Sequence, residues 1–316
     1  MRFRNLDLNQ LVCLDALLTE RSVSRAAERL FLSQSATSNS LTRLRAYFGD
    51  ELLVQVGRKM LLSPLGNELL QPVRDVLLQI QTITSIERNF NIAESDRTVS
   101  VVASDYVSTV FMAEVIRRVA RQAPKMTIKM RQLDYKWSML LERGEVDMIV
   151  MPAEFKLPDY PAEELFSDTW VCVMWDQNPH VGESISFAQY TGLGHVIVDY
   201  SDVRTVTFDE WFMKTYKHTR KVEATTPYFN VLPHLLVGTN RIATVQVQLM
   251  KVFEQLLPLK SVRLPFDMPV FTEVLQYPTY LELDPAITWL RGVMKAVADD
   301  MVSGVDRTMA PMARKG

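Results

Sequence analysis

Cysteine and histidine are scarce in this 316-residue chain, and both shortages limit the chemistry it can carry. The two cysteines, Cys13 and Cys172, lie far apart within apolar stretches, a pattern typical of buried thiols in a reducing compartment rather than of a disulfide. The histidines, which show no metal-ligand spacing, are His180, His195, His218 and His234. The sequence therefore predicts no metal site and no bound cofactor.

Long apolar runs are also missing. No uninterrupted run approaches the roughly 20 residues of a membrane span, and no N-terminal segment resembles a signal peptide. Phosphate-binding loops, nucleophile elbows and paired-cysteine motifs are absent from the sequence as well. Because 47% of the residues are hydrophobic, the chain can form substantial cores. We expect a cytoplasmic protein, without a membrane partner, that has one small domain and a larger one of one or two lobes.

No acidic residue occurs from Arg29 to Gly49, and this gap falls within a predicted pair of short helices. Ser22 is a good N-cap for the first helix, whose apolar residues recur at helical spacing. Ser33 caps a second helix that runs from about Gln34 to Tyr47. The intervening turn is short, so the pair is predicted to be a helix-turn-helix.

The second helix has an outer face of small polar and cationic side chains. Small hydroxyls allow a helix to approach base edges in a major groove, Gln and Asn form bidentate contacts, and Arg pairs with guanine or phosphate. Thr37 is assigned to this outer face, and Ala36 to the inner, core face. An amphipathic pair whose polar face meets only water is the alternative. The candidate DNA contacts are Ser33, Gln34, Ser35, Ser38, Asn39, Thr42, Arg43 and Arg45.

Local charge favours the DNA-binding interpretation. From Arg21 to Lys59 there are seven Lys and Arg residues against three acidic residues, a net charge of +4, whereas the whole chain has −2. Positive charge is therefore concentrated where the second helix is predicted, as expected of a surface that meets phosphates.

A basic hairpin is predicted directly after the helix pair. Two short alternating segments flank Gly57, Arg58 and Lys59, so these residues form the tip. After a helix-turn-helix, such a hairpin is interpreted as a wing that lies along the phosphate backbone, with Arg58 and Lys59 as sequence-independent contacts. An ordinary turn with solvated charges is the alternative.

A long helix is predicted from Leu65 to about Glu87, after Ser63 and Pro64. Its apolar residues are spaced by 4, 3, 4 and 3 positions, which is a heptad seam. We expect this seam to form a homodimer, because a dimer presents two helix-turn-helix units to palindromic half-sites. Packing onto the same chain is the alternative. The seam consists of Leu69, Val73, Val76, Ile80 and Ile83.

From Val99 onward, predicted strands alternate with helices, which is typical of parallel α/β sheets. Two such sets predict two lobes with a cleft at the carboxyl ends of the strands. A strand at Thr272 to Gln276 would return the chain to the first lobe. The predicted divisions are a helix-turn-helix domain (1–63), a linker helix and hinge (64–96), a first lobe (about 97–165 and 270–305), a second lobe (about 166–269) and a flexible tail (306–316).

Strand ends in this cleft supply candidate effector contacts. Aromatic and hydroxyl side chains that converge there would suit a flat phenolic ligand. Each candidate has an ordinary structural alternative, such as Ser104 capping its own helix, aromatic side chains packing in the core, or Asp199 pairing with Arg204. The candidates are Ser104, Tyr106, Thr109, Asp199, Tyr200, Tyr228, Phe229, Thr239 and Phe271.

The helix pair resembles the signature of a known family. Residues 26–45, AAERLFLSQSATSNSLTRLR, are similar to the helix-turn-helix of LysR-type transcriptional regulators. With Arg at position 45, the helix resembles the branch of rhizobial nodulation regulators and salicylate-responsive naphthalene-degradation regulators. Thr37 stands where an aliphatic residue is commoner in the family. Segments such as GEVDMIVMP (144–152) and LFSDTWVCVMW (165–175) extend the resemblance over nearly the whole chain. The signature positions are Ala26, Ala27, Leu30, Ser33, Gln34, Ser35, Ala36 and Ser38.

The resemblance implies an α/β protein with an N-terminal winged helix-turn-helix, a long dimerisation helix and a C-terminal two-lobed, periplasmic-binding-protein-like effector domain. It implies an activator that binds double-stranded promoter DNA as a homotetramer, with RNA polymerase as a further candidate partner. The implied effector is an aromatic inducer such as a flavonoid, a benzoate or a chlorinated phenol, and the implied target is an aromatic-catabolism or nodulation-type operon. The alternative is a two-lobed α/β enzyme acting on an aromatic substrate, with Asp105, Asp199 and His195 as crude catalytic candidates.

Overall fold

The computed structural model describes residues 6–57, 59–85, 90–133, 137–199, 212 and 214–306. The chain divides into two compact units, Met1–Arg88 and Asn89–Gly316, called here the N-terminal unit and the C-terminal unit. Within the described ranges, no helix combines the length and the apolar character that crossing a bilayer requires.

The described part of the N-terminal unit folds into four helices and one hairpin. Helices α1 to α3 begin at residues whose side chains accept a backbone N–H, namely Asp7, Ser22 and Ser33. The helix α3 ends at Gly49, whose φ of 66° suits a residue without Cβ. The elements are α1 (Leu8–Glu20), α2 (Val23–Leu30), α3 (Gln34–Phe48), β1 (Leu53–Val56), β2 (Lys59–Leu62) and α4 (Pro64–Ser85).

One apolar core holds this unit together. Leu14, Leu17 and Leu18 of α1 are almost fully buried, because α1 lies between the helix pair and α4. Leu44 joins them from α3. The core therefore fixes α3 through its inner face, and the opposite face remains free for contacts.

The first sheet of the C-terminal unit has the strand order β4-β3-β5-β12-β6. Strand β3 pairs in parallel with β4 and β5, whereas β12 pairs antiparallel with β5 and β6. This sheet forms the first lobe. Its strands are β3 (Thr98–Ala103), β4 (Thr127–Gln132), β5 (Met148–Pro152), β6 (Ala162–Asp168) and β12 (Phe271–Gln276).

The second sheet, with the order β11-β7-β10-β8-β9, forms the second lobe. Strand β8 pairs in parallel with β10 and β9, whereas β7 pairs antiparallel with β10 and β11, so the expectation of parallel sheets is wrong at β7, as it is at β12 of the first sheet. Thr169 alone separates β6 of the first sheet from β7 of the second, so the chain enters the second lobe without an intervening helix. The strands are β7 (Trp170–Trp175), β8 (Gly194–Val198), β9 (Lys221–Thr226), β10 (Ile242–Gln246) and β11 (Leu259–Arg263).

Helices cover both sheets. The first, called α5, joins Asp105–Val107, a π-helical turn at Ser108–Met112, and Ala113–Gln122. Phe90 and Ile92, within the segment predicted as a hinge, pack against the core of the first lobe. Most of the predicted tail lies outside the described residues. Other α-helices whose bounds lie within the described residues are α6 (Trp137–Glu142), α7 (Phe187–Gly192), α8 (Val247–Phe253) and α9 (Pro285–Asp306), and short 3-10 helices lie at Ile92–Glu94, Ala153–Phe155, Phe229–Leu235 and Thr279–Leu281.

Candidate nucleic-acid interface and effector cleft

The outer face of α3 is a continuous polar surface. Its buried stripe consists of Thr37, Leu41 and Leu44, which turns the other side of the helix outward. Ser33, also exposed, uses its hydroxyl to cap the helix, accepting the N–H of Ala36 at 3.2 Å. The exposed candidate contacts on the helix are Gln34, Ser35, Ser38, Asn39, Thr42 and Arg43.

Arg43 is the cation of this surface. Within the described part of the chain, no ion pair or side-chain hydrogen bond holds its guanidinium. Asn39 lies one helical turn before it, so an amide and a guanidinium project side by side. This pair can donate to base edges and phosphates without first breaking a bond to its own chain.

The structure corrects the phase of α3 at two positions. Thr37 is fully buried and donates its hydroxyl to the carbonyl oxygen of Ser33 at 3.2 Å, whereas Ala36 is exposed. The predicted outward position of Thr37 is therefore wrong, as is the inward position of Ala36. A hydroxyl tolerates burial here because the helix backbone satisfies it.

Arg45 is held by its own chain. Its guanidinium donates to the carbonyl oxygens of Glu51 at 2.8 Å and Leu53 at 2.7 Å, and it pairs with the Glu51 carboxylate at 3.0 Å. These bonds tie the end of α3 to the first strand of the hairpin. Arg45 differs in this from Arg43, because its bonds orient the hairpin; a DNA contact from Arg45 stays a prediction.

The acids of α1 neutralise much of the positive charge next to α3. Arg29 pairs with Asp15 at 3.3 Å and with Glu20 at 3.5 Å, and Arg25 pairs with Glu20 at 3.7 Å. Both acids precede the segment in which a net charge of +4 was counted. Met1–Arg88 as a whole has eleven Lys and Arg residues against nine acidic residues, a net charge of +2. The unpaired cations therefore matter more than the total.

The predicted wing is a two-stranded hairpin. Val56 pairs with Lys59 across the turn, and Gly57 supplies the φ of 63° that the turn requires. Lys59 is exposed at the start of β2, while Arg58 lies outside the described residues. A backbone contact from this tip stays a prediction.

The seam on α4 is divided between two environments. Leu69 and Val73 pack into the core of the N-terminal unit, so the same-chain alternative is right for this half. Further along, Val76 is 43% exposed and Ile83 is 66% exposed. An apolar strip on the second half of the helix therefore has no cover within the described part of this chain.

The two lobes of the C-terminal unit meet at a polar contact. Asp105, at the start of α5, accepts the backbone N–H of Asn230 at 2.8 Å through Oδ2. The Asn230 amide group donates to the Thr109 hydroxyl at 2.8 Å. Buried Oδ1 atoms of Asp105 and Asn230 have no hydrogen-bond donor among the described residues. The contact between the lobes therefore contains two acceptor atoms to which no described residue donates.

Ser104 and Tyr106 differ from their predicted positions on the rim. Ser104 is buried and caps α5 by accepting the N–H of Val107 at 3.2 Å, as its alternative foresaw. Tyr106 is 1% exposed and donates its hydroxyl to Asp168 at 2.7 Å. Burial, with the Asp168 charge, raises the pKa of Tyr106 above its usual range, so the hydroxyl remains a donor.

Phe229 and Phe271 surround the ring of Tyr106, with centroids 6.1 and 6.0 Å away. Phe271 is also buried, so its rim position is wrong, whereas Phe229 is half-buried. A cluster of rings thus joins the lobes where aromatic contacts to a ligand were expected. The rings pack against one another there, which the strand-end positions of these residues did not indicate.

Two buried acids of this region were missed from the sequence. Burial raises the pKa of Asp168, which accepts N–H groups from Thr169 and Gln248 besides the Tyr106 hydroxyl. Glu273 is 2% exposed, and burial with the nearby charges of Glu154 and Asp168 raises its pKa to about 8. The signal for Glu273 was a single acid inside the apolar strand FTEVLQ.

Asp199 follows the carboxyl end of β8, as predicted. Tyr228, which was predicted to open a helix, immediately precedes the short helix Phe229–Leu235 and is 46% exposed. Thr239 lies at the amino edge of the same sheet, lining a surface pocket of about 280 Å³ with Lys221 and Glu223. The structure therefore separates Thr239 from the other candidates. Tyr200, and Arg204 as a partner of Asp199, lie outside the described residues.

Two family models match the chain. One, described as a bacterial regulatory helix-turn-helix protein of the lysR family, matches residues 8–67. The other, described as a LysR substrate binding domain, matches residues 93–299. Together they cover the helix pair, the hairpin, both lobes and the contact between the lobes.

Curated relatives are similar over almost their whole length. Nodulation protein D 1 of Rhizobium meliloti (strain 1021) is 40% identical over 294 residues, which is 93% of this chain and 96% of that protein. Nodulation protein D of Bradyrhizobium sp. (strain ANU 289) is 37% identical over 314 residues, 99% of this chain and 93% of that protein.

Solved structures share the fold at lower identity. A probable transcriptional regulator from Pseudomonas aeruginosa gives a TM-score of 0.63 at 24% identity, covering 93% of this chain and 97% of that one. Full-length CbnR complexed with its target DNA gives a TM-score of 0.52 at 14% identity, covering 93% of this chain and 100% of that one. These likenesses establish the architecture alone.

Proposed function

The chain belongs to the LysR family of bacterial DNA-binding transcriptional regulators, and we propose that it activates a nodulation-type operon when a small aromatic inducer binds between its lobes. Regulators of this family bind promoter DNA, form oligomers and carry an effector domain for small-molecule inducers. The enzyme alternative is wrong, because the family and the relatives are transcriptional regulators. An aromatic-catabolism operon is the second candidate target.

The observation that carries the DNA-binding part of this proposal is the outer face of α3. It exposes amides, hydroxyls and Arg43, whose guanidinium has no partner among the described residues, and α3 contains no acid that would repel phosphates. We propose Gln34, Ser35, Ser38, Asn39, Thr42 and Arg43 as contacts in the major groove, with Ser33 at the entry of the helix. Lys59 and Arg58 would contact the phosphate backbone.

A neutral, hydroxylated inducer suits the contact between the lobes. The buried Oδ1 acceptors of Asp105 and Asn230 call for hydroxyl donors, and the raised pKa values of the nearby buried acids Asp168 and Glu273 indicate surroundings that disfavour an added negative charge. Tyr228 and Phe229 offer ring surface beside them. These features favour a phenol or a flavonoid over a benzoate as the inducer. The similarity to nodulation proteins supports a nodulation-type operon as the target.

Inducer binding is expected to depend on Asp105. Titration of the full chain with a hydroxylated flavone, a chlorophenol and a benzoate, followed by tryptophan fluorescence, should show saturable binding of the hydroxylated neutral compounds. Asp105→Asn should weaken that binding by about tenfold, because it removes a charged acceptor. Thr239→Val, at the other edge of the second sheet, should leave it unchanged.

The effect on DNA is measured by footprinting upstream of the operon. A bound inducer should alter the protected region and increase transcription, because a ligand shifts an equilibrium by its differential affinity for the two states. Identical footprints with and without an inducer shown to bind would contradict the proposed mechanism. Preferential binding of the benzoate would contradict the proposed chemistry of the ligand.

We also propose that the exposed strip of α4 pairs two chains. Val76 and Ile83 are too exposed for a helix that packs only on its own chain, and paired α4 helices would bury both. Two such dimers would form the tetramer that the family resemblance implies. RNA polymerase is the proposed further partner at the activated promoter.

Ile83→Glu is expected to dissociate the dimer. A charge on an apolar pairing surface lacks a partner, so the variant should sediment as smaller species and bind a two-site duplex at least about tenfold more weakly. Gln79→Glu adds the same charge at another exposed position of α4 and serves as the matched control. Unchanged sedimentation of Ile83→Glu would show that this strip does not pair chains.

A further inference from the structure

A buried ion pair joins α1 to α4. The Arg74 guanidinium donates to Asp15 Oδ1 at 2.9 Å and also to the Thr19 hydroxyl. Arg74 is 6% exposed and Asp15 is 8% exposed. Both charged groups therefore lie inside an otherwise apolar contact between two helices.

The same carboxylate reaches a third helix. Asp15 Oδ2 accepts from Arg29 of α2 at 3.3 Å, so one acid bridges α4 and the first helix of the helix-turn-helix. Arg29 in turn pairs with Glu20 at the end of α1. The Asp15 carboxylate thus connects α4, the proposed pairing helix, to the helix pair that contains α3.

A buried ion pair of this kind determines how α1 and α4 pack against each other more than it stabilises the fold. Desolvating two charges cancels most of their attraction, and apolar residues of similar volume can replace a buried ion pair without loss of stability. A guanidinium and a carboxylate nevertheless bond only at defined distances and angles. Leucine-rich surfaces alone would permit α1 and α4 to slide and rotate more freely.

We propose that the Asp15–Arg74 bridge is a positioning element that sets the spacing of DNA half-sites. This inference rests on the proposed pairing of two chains through α4. In such a dimer, the angle between α1 and α4 determines the separation of the two α3 helices. Arg74 itself touches no DNA and acts only through this angle.

Helix α4 is long enough that a small rotation of it changes the separation of the two α3 helices. Helix α4 has 22 residues and is therefore roughly 33 Å long at about 1.5 Å per residue. A rotation of about 10° over such a length moves its end by roughly 6 Å, which exceeds the rise of about 3.4 Å per base pair. Loosening the bridge should consequently broaden the range of accepted half-site spacings.

The test uses duplexes whose two half-sites are separated by distances that change in steps of one base pair. We expect the wild-type chain to prefer one spacing by about tenfold in Kd over a neighbouring spacing. Arg74→Met, and the double variant Asp15→Leu/Arg74→Met that leaves no unpaired acid at this position, should reduce this preference to about threefold or less. Arg74→Lys should retain more of the preference.

Binding to a duplex with a single half-site, and the sedimentation of the free protein, separate positioning from folding. Both should be the same for the wild-type chain and the double variant. A double variant that keeps the wild-type spacing preference would overturn this inference while leaving the dimer intact. Loss of single-site binding by the double variant would overturn it in favour of a merely structural role. A wild-type chain without any spacing preference would overturn the proposed dimer together with this inference.

Discussion

The free energy of unfolding of the C-terminal unit is expected to fall as the pH rises from about 5 to about 8, and replacing Glu273 with Gln is expected to abolish most of that fall. The pKa of Glu273 is raised from 4.5 to about 8 by burial and by neighbouring acids. Between these values the folded chain holds a proton that the unfolded chain has released, so unfolding becomes easier as the pH increases. At about 1.4 kcal/mol per pH unit, the wild-type chain should lose roughly 4 kcal/mol over this range.

Tryptophan fluorescence can isolate this effect, because all five tryptophans lie beyond Asn89. Urea unfolding of the two proteins at several pH values gives the free energy of unfolding of the C-terminal unit. Glu164→Gln, on the exposed side of β6, removes an equivalent carboxyl and should leave the wild-type slope intact. Asp168, whose pKa is also raised, should leave a residual slope of the same sign in Glu273→Gln. Equal slopes for wild type and Glu273→Gln would show that the acid is already ionised in the folded chain.

Local signals explain why the helical part could be predicted from the sequence. The cap at Ser33 bonds the backbone three residues onward, so its effect is visible within one helical turn of sequence. The turn of the hairpin around Gly57 likewise follows from residues that are close in sequence. The exceptions within α3 were Ala36 and Thr37. The Thr37 hydroxyl looked solvent-facing because its bond to Ser33 cannot be seen in a pattern of polar and apolar residues.

Contacts between distant segments explain what the sequence could not supply at the effector cleft. Tyr106 meets Asp168, 62 residues later, and Asp105 meets Asn230, 125 residues later. Spacing along the chain carries no information about such pairs, so the residues could be assigned to strand ends but not to partners. The same limit applied to Arg45, whose bonds to Glu51 and Leu53 could not be inferred from its position in the sequence.

Arg43→Ala is expected to abolish specific DNA binding under conditions in which the wild-type chain binds tightly. A good bidentate contact from an arginine to a base contributes about 1–3 kcal/mol of discrimination. A dimer carries the change twice, so the loss should be roughly 2–6 kcal/mol, or about 30-fold or more in Kd. Fluorescence anisotropy with a promoter duplex and a scrambled duplex measures both affinity and specificity.

Arg25→Ala removes the same charge from α2 and is the matched control. The Arg25 side chain is 65% exposed but paired with Glu20, so its removal should weaken both duplexes by a similar small factor. Arg43→Ala should instead reduce the ratio between promoter and scrambled duplex, because it removes a contact that distinguishes bases. If Arg43→Ala weakened the two duplexes equally, Arg43 would be a phosphate contact. Direct recognition would then have to come from the amides and hydroxyls of α3.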